Sequence, residues 1–168
     1  MDINEVLRNL PPTQAGYLET KFNMTERDYT RHYADEIADN YVLDVLGCGV
    51  ARATFEVQGL AVKILINKNR QNQHDSEVKI LQYLNELEYN HVPKMYYSDC
   101  SRIILEKVRT LTEEEYEEYG EELDEIELEL QELGVYIVDT DGADQWGIRN
   151  DGSLVLLDLG NGGINKSN

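Results

Sequence analysis

Five oxygen-bearing side chains stand close together in the stretch from Leu133 to Gly160: Asp139, Asp141, Asp144 and Gln145 fall in one loop, and Asp158 follows the next turn. Carboxylates and a carboxamide gathered in this way suit a hard divalent cation such as Mg²⁺, which prefers oxygen donors and, beside phosphates, needs only one or two carboxylates from the protein. Upstream, Lys63 interrupts the aliphatic run Leu60 to Ile66, and Glu77 shares a helical face with Ile80, Leu81 and Leu84. A carboxylate on an apolar face needs a counter-charge, and Lys63 is the obvious one. Gly47 and Gly49 flank Cys48 between two strand-like runs, a spacing that lets backbone N–H groups approach an anion. Cation-assisted handling of a phosphate is the chemistry these residue types share.

The elements that must position them can be read in order. Ile3 to Leu10 is a helical segment stopped by Pro11-Pro12, and Thr25 with Asp28 caps a helix that runs to Asn40 with Tyr29, Tyr33 and Ile37 on one face. Tyr41 to Leu46, Ala53 to Val57 and Leu60 to Ile66 read as strands, joined by turns at Gly47-Cys48-Gly49 and Gln58-Gly59. In the third run Ala61, Lys63 and Leu65 share one face and Val62, Ile64 and Ile66 the other. A helix over Asp75 to Leu87 and strands over Met95 to Ser98 and Arg102 to Val108 complete a five-stranded antiparallel sheet with one helix inserted after the third strand. Val108 to Leu111 is a connector. Thr112 to Leu133 is an acidic helix with a Thr112/Glu115 capping box, an apolar stripe from Tyr116 to Leu133 and a bend at Gly120. An apolar run, Val135 to Val138, enters the acidic loop; Trp146 to Arg149 and Leu154 to Leu157 then form a hairpin around Asn150-Asp151-Gly152.

Composition narrows the function classes. With 168 residues and a net charge of -18, the chain is long enough for its own core, and it lacks the clustered cations that phosphate-backbone binding requires. Direct nucleic-acid binding is therefore not expected. No run approaches the ~20 apolar residues of a bilayer span. The start Met1-Asp2-Ile3-Asn4-Glu5 lacks the basic region of a signal peptide, so a cytoplasmic location is expected. Cys48 and Cys100 are far apart with no metal-ligand spacing, which points to free, buried thiols.

Taken together and in this order, the parts resemble the protein kinase-like superfamily, including the small kinase-like proteins of phages and prokaryotes. Leu46-Gly47-Cys48-Gly49-Val50-Ala51-Arg52 is similar to the glycine-rich loop, with Arg52 where the third glycine would stand; Ala61-Val62-Lys63-Ile64 is similar to the strand-three lysine motif. The resemblance implies that Lys63 holds the α/β-phosphates of ATP and that Glu77 is its ion-pair partner. It implies that Glu106-Lys107-Val108 is the hinge that receives adenine through backbone groups, and that Asp158-Leu159-Gly160, similar to the DFG motif, supplies the Mg²⁺ ligand. Gln145 stands where the family has its metal-binding Asn, and counting back five positions reaches Thr140. Asp139 fits the catalytic aspartate if the loop is one residue longer, Asp141 if it is one shorter, and counting from Gly134 favours Asp139. Gln145 or Asp144 would complete the metal set. The implied fold is α+β: a minimal kinase-like fold with a five-stranded antiparallel N-lobe sheet and helix C. Its reduced C-lobe has one or two helices and a metal-loop hairpin. The expected divisions are an extension over 1–40, an N-lobe over 41–108 and a truncated C-lobe over 109–168. With the sequence ending at Asn168, an activation segment and a peptide-binding platform are not expected.

Three functions follow as expectations. The first is ATP–Mg²⁺ binding in an inter-lobe cleft with phosphate transfer to a protein or small-molecule hydroxyl. The second is a catalytically silent, pseudokinase-like binding module. The third is an acidic inhibitor or nucleic-acid mimic that meets a protein partner through the helix over 112–133.

Overall fold

The computed structural model describes residues 3–8, 10 and 25–165. The expected stop at Pro11-Pro12 lies outside them. The chain divides by contact into two units, Met1–Asp75 with Met95–Lys107, and Ser76–Lys94 with Val108–Asn168. The N-terminal helices thus belong with the sheet, and the stretch from Ser76 to Lys94 belongs with the C-terminal part.

In the first unit, α1 (Ile3–Arg8) and α2 (Glu26–Tyr41) precede β1 (Asp44–Cys48), β2 (Arg52–Val57) and β3 (Leu60–Leu65). After a 3₁₀ turn at Lys68–Arg70 comes α3 (Gln71–Glu86), whose first residues, to Asp75, fall in this unit; β4 (Met95–Ser98) and β5 (Arg102–Glu106) follow. The five strands form one sheet in the order β1-β2-β3-β5-β4, each neighbouring pair antiparallel. Its apolar face carries Ala53, Phe55, Val57, Leu60, Val62, Ile64 and Ile104, packed with Val6 of α1 and Tyr29 and Ala34 of α2.

At β1 two boundaries differ from the sequence reading, each for a local reason. The expected strand from Tyr41 begins only at Asp44, because α2 runs through Tyr41 and closes on Val42 in the left-handed conformation (φ 54°), with Leu43 N–H donating to Ala38 C=O at 3.0 Å. The turn expected at Gly47-Cys48-Gly49 lies further on: Gly47 and Cys48 are strand residues beyond an irregularity in β1, paired with Thr54 and Ala53. Gly49 N–H then donates to Arg52 C=O at 2.9 Å to close the turn.

The β4–β5 turn is organised by Asp99, whose Oδ1 accepts from Ser101 N–H (2.9 Å) and Arg102 N–H (2.8 Å) while Oδ2 meets the Arg102 guanidinium. Burial alone would raise the Asp99 pKa, but the Arg102 side chain and the backbone donors outweigh it and hold the carboxyl below its ordinary value. His74, buried at the start of α3, reaches the Asp99 carbonyl through Nε2 at 2.8 Å. That contact explains why α3 starts ahead of Asp75 although its first turn has no apolar periodicity.

The second unit contains the rest of α3, in which Ile80, Leu81 and Leu84 are fully buried. Tyr83 Oη donates to Leu133 C=O at 3.0 Å and Asn85 Nδ2 to Pro93 C=O at 3.2 Å. The acidic helix is two helices, α4 (Glu113–Glu118) and α5 (Gly120–Glu132), divided at Tyr119. The Thr112/Glu115 capping box forms, and the Arg109 guanidinium beside Glu115 holds that carboxyl down at about 2. Leu123, Ile126 and Leu130 are the buried stripe of α5. Very short strands complete this unit. β6 (Arg109–Thr110) lies in the segment read as a connector and joins β8 (Trp146–Ile148) and β9 (Leu154–Leu156) in a three-stranded sheet. β7 (Val135–Tyr136) is shorter than the apolar run that suggested it and pairs with β10 (Gly163–Ile164). Among the described residues, no helix is long and apolar enough to cross a membrane.

Candidate functional site

In the first unit the strand register fixes where Lys63 sits. Gly47 pairs with Thr54, Thr54 with Lys63, and Lys63 with Ile103. Residues opposite one another share a face, so these four form a row across β1, β2, β3 and β5, on the face opposite Phe55 and Val62. Lys63 is half-buried there. Gly47, in the same row, carries no side chain on that face.

Gly47 is not demanded by the fold. A Cβ built on it meets nothing within 4 Å, and one on Gly49 has its nearest neighbour, Arg52 O, at 3.9 Å. Gly147 is different: a Cβ there would lie 2.8 Å from the Arg109 carbonyl and from the Val108 side chain, so the β6–β8 pairing requires glycine. Cys48 points to the helix-covered face, where burial pushes its thiol pKa up against the pull of Arg31 and Arg27. It is a packing residue, half-buried; Cys100, expected to be buried too, is exposed because it falls in the β4–β5 turn.

Two buried residues that no motif marked hold the tip of the glycine loop. Thr30 Oγ1 of α2 and Asn67 Nδ2, from the β3–α3 connection, both reach the Val50 carbonyl, at 3.0 and 3.3 Å. The Ala51 carbonyl accepts from Ile66 and Asn67 N–H, both at 3.0 Å. Glu106 is the last residue of β5, opposite Leu60, and the division between the units falls between Lys107 and Val108.

In the second unit Glu77 is fully buried on the same stripe of α3 as Ile80, Leu81 and Leu84. The acidic loop is fastened from below by Trp146, whose fully buried indole donates through Nε1 to the Thr140 carbonyl at 3.0 Å. Gly142 turns the chain at φ 126°, and Ala143–Gln145 follows as a 3₁₀ turn. Asp139, Asp141 and Asp144 are exposed, and Gln145 is half-buried with Nε2 donating to Asp144 Oδ1 at 3.2 Å. The Gln145 carbonyl accepts from Leu157 N–H at 2.7 Å, which sets Gln145 beside the approach to Asp158. Asp158 itself is half-buried, and its Oδ1 accepts from Gly160 N–H at 3.0 Å. The hairpin register, Trp146 opposite Leu156, is what brings Asp144, Gln145 and Asp158 to one end of the sheet.

Among the described residues no group of three or more His, Cys, Asp or Glu side chains is placed to hold a metal ion. The donors present, Asp158 and Asp144 with Gln145, are all oxygen donors. That set fits Mg²⁺ arriving with phosphates, because Mg²⁺ keeps waters and takes one or two carboxylates plus phosphate oxygens. It does not fit a free-standing metal centre.

No family model matches the chain, and no curated protein matches it. Among solved structures it is similar to three of WbdD: a co-crystal structure with the kinase inhibitor LY294002 (14% identity, TM-score 0.49); one described as the bifunctional kinase-methyltransferase (14%, 0.47); and a high-resolution crystal structure (15%, 0.48). Each match covers 70% of this chain, which spans only 31 to 32% of the WbdD chains. The chain is an α+β protein with a five-stranded antiparallel sheet and a few helices.

Proposed function

We propose that the chain is a small kinase-like protein that binds ATP–Mg²⁺ and transfers phosphate to a hydroxyl. Lys63 engages the α/β-phosphates, with Glu77 as its counter-charge; Gly47 gives the phosphates room; Glu106 and Val108 receive adenine; Asp158, with Gln145 or Asp144, holds the cation. Asp139 orients the acceptor hydroxyl and takes its proton. When bound, Mg²⁺ supplies neutralisation of the phosphate charge. The carrying observation is the row Gly47–Thr54–Lys63, in which a glycine that the fold leaves unobstructed lies on the face of a half-buried lysine. The motif order in the sequence supports the same reading.

The test separates fold from function. Gly47→Ala adds a methyl into open space at a strand position, so stability should be unchanged or raised by about 0.5–1 kcal/mol. ATP–Mg²⁺ should stabilise the wild type by about 2.7 kcal/mol at 100 times its Kd, and the variant less at the same concentration. ADP release from ATP should be lost in Asp158→Ala. Wild-type protein with no thermal shift at any ATP–Mg²⁺ concentration refutes the proposal.

A second reading, a nucleotide-binding module without turnover, is favoured by the acidic loop. Gln145 Nε2 donates to Asp144 Oδ1, and the Thr140 carbonyl is committed to Trp146, so the loop is held by its own contacts. A thermal shift with ATP–Mg²⁺ but no ADP release selects this reading.

A further inference from the structure

Thr30 and Asn67 are both fully buried, come from separate elements and converge on one backbone oxygen. Neither is explained by packing alone. Thr30 Oγ1 lies 3.0 Å from the Glu26 carbonyl of its own helix and 3.0 Å from the Val50 carbonyl of the glycine loop, so one hydroxyl hydrogen faces two acceptors. Back-bonding to the residue four earlier is open to any threonine inside a helix; here the Val50 carbonyl shares the same donor at an equal distance. Asn67 divides its amide in the same way: Oδ1 accepts from Asn69 N–H at 3.1 Å, which starts the 3₁₀ turn, while Nδ2 turns to Val50. Arg70 Nε and Glu26 Oε2, 2.7 Å apart, fasten that turn to the first turn of α2.

A trans peptide carries its C=O and the following N–H on opposite sides. Fixing the Val50 carbonyl toward Thr30 and Asn67 therefore aims the Ala51 N–H away from them. Gly49 N–H is already used in closing the turn. We infer that Thr30 and Asn67 are positioning residues for phosphate binding: they lock the Val50–Ala51 peptide so that the glycine loop is a preset anion-facing turn and not a loose flap. This rests on the nucleotide reading above. Preset donors raise affinity for the phosphates because their ordering cost is met on folding.

The variants are Thr30→Val, which keeps shape and removes the hydroxyl, and Thr30→Ser, which keeps the hydroxyl. Amide exchange over residues 49–52 is measured on nucleotide-free protein, and affinities for ATP–Mg²⁺ and for adenosine are measured by titration. Thr30→Val should speed exchange by about two- to tenfold and weaken ATP–Mg²⁺ by a similar factor, the ratio expected for one hydrogen bond. Adenosine, which has no phosphates, should bind as before, and Thr30→Ser should match wild type. Unchanged exchange in Thr30→Val refutes the lock. Equal weakening of ATP–Mg²⁺ and adenosine, or faster exchange with ATP–Mg²⁺ affinity intact, refutes the phosphate role. If wild type binds neither ligand, the nucleotide reading and the phosphate role fail together, while the exchange result still decides the lock.

Discussion

Replacing Trp146 by Phe removes one hydrogen bond and part of one ring from the floor of the acidic loop. Trp146 is fully buried opposite Leu156, itself fully buried, and its Nε1–H is the donor that the Thr140 carbonyl receives at 3.0 Å. The bond is only part-buried, so losing it costs about 0.5–1.5 kcal/mol. Truncating a whole Trp to Ala costs about 3–5 kcal/mol, so the smaller loss from indole to phenyl is about 1–2 kcal/mol. The sum is about 1.5–3.5 kcal/mol, which for a chain of this length lowers the melting temperature by roughly 3–14 °C. Circular dichroism of thermal and urea unfolding measures it. The loss should be local in its consequences: proteolysis should become faster within residues 139–145, and, on the proposed phosphotransfer reading, turnover should fall more than ATP–Mg²⁺ affinity, because Asp139 precedes the anchored carbonyl by one residue. A loss below about 0.5 kcal/mol, the range of substitutions that disturb nothing, refutes the idea that Trp146 holds the loop. So does destabilisation with the loop's cleavage rate unchanged.

Val42, 92% exposed and left-handed at φ 54°, offers a gain: Val42→Gly should stabilise the chain by about 0.5–1 kcal/mol in urea titration, since strain of ~1–2 kcal/mol is relieved against the added freedom of the unfolded chain. Asp99 titrates below its ordinary carboxylate value in the folded chain, so its contribution is fully present above pH 4 and is lost as pH falls through the folded value; Asp99→Asn should be less stable at neutral pH, and the difference should shrink on acidification, as followed by unfolding at stepped pH. Lys63→Met and Glu77→Gln should be non-additive in a double-mutant cycle of unfolding free energies, with a coupling of about 0.5–3 kcal/mol. A coupling indistinguishable from zero removes Glu77 as the counter-charge of Lys63.

Period-two patterning was enough to assign the faces of β3, because Ala61, Lys63 and Leu65 alternate cleanly with residues of the core. The succession of the five sheet strands along the chain and the single helix after β3 were equally legible, as were the Thr112/Glu115 capping box, the Thr25 cap and the break near Gly120, which are local chemistry. What escaped was set by partners distant in sequence. A two-residue strand such as β6 has no periodicity, and it exists because the Gly147 backbone lets Arg109 come close. Gly47 read as a turn because glycine usually is one; the register with Thr54 makes it a strand position. Thr30 and Asn67 bear no motif, since their role depends on one carbonyl brought to them by the folded sheet. The choice between Asp139 and Asp141 stays with the chemistry: both are exposed, on either side of the anchored Thr140 carbonyl.

The chain has one tryptophan among eleven tyrosines, and it is the residue directly after Gln145. Its intrinsic emission therefore comes from a single, dry indole whose N–H is hydrogen-bonded to the loop that carries Asp139 and Asp144. Excitation near the red edge of protein absorption selects that ring over the phenols. Occupation of the Asp158 end of the hairpin, or detachment of the Thr140 carbonyl, will change its wavelength or intensity without any label. The fold has placed a spectroscopic probe at the foot of its own candidate site, and titrations can be read in unmodified protein.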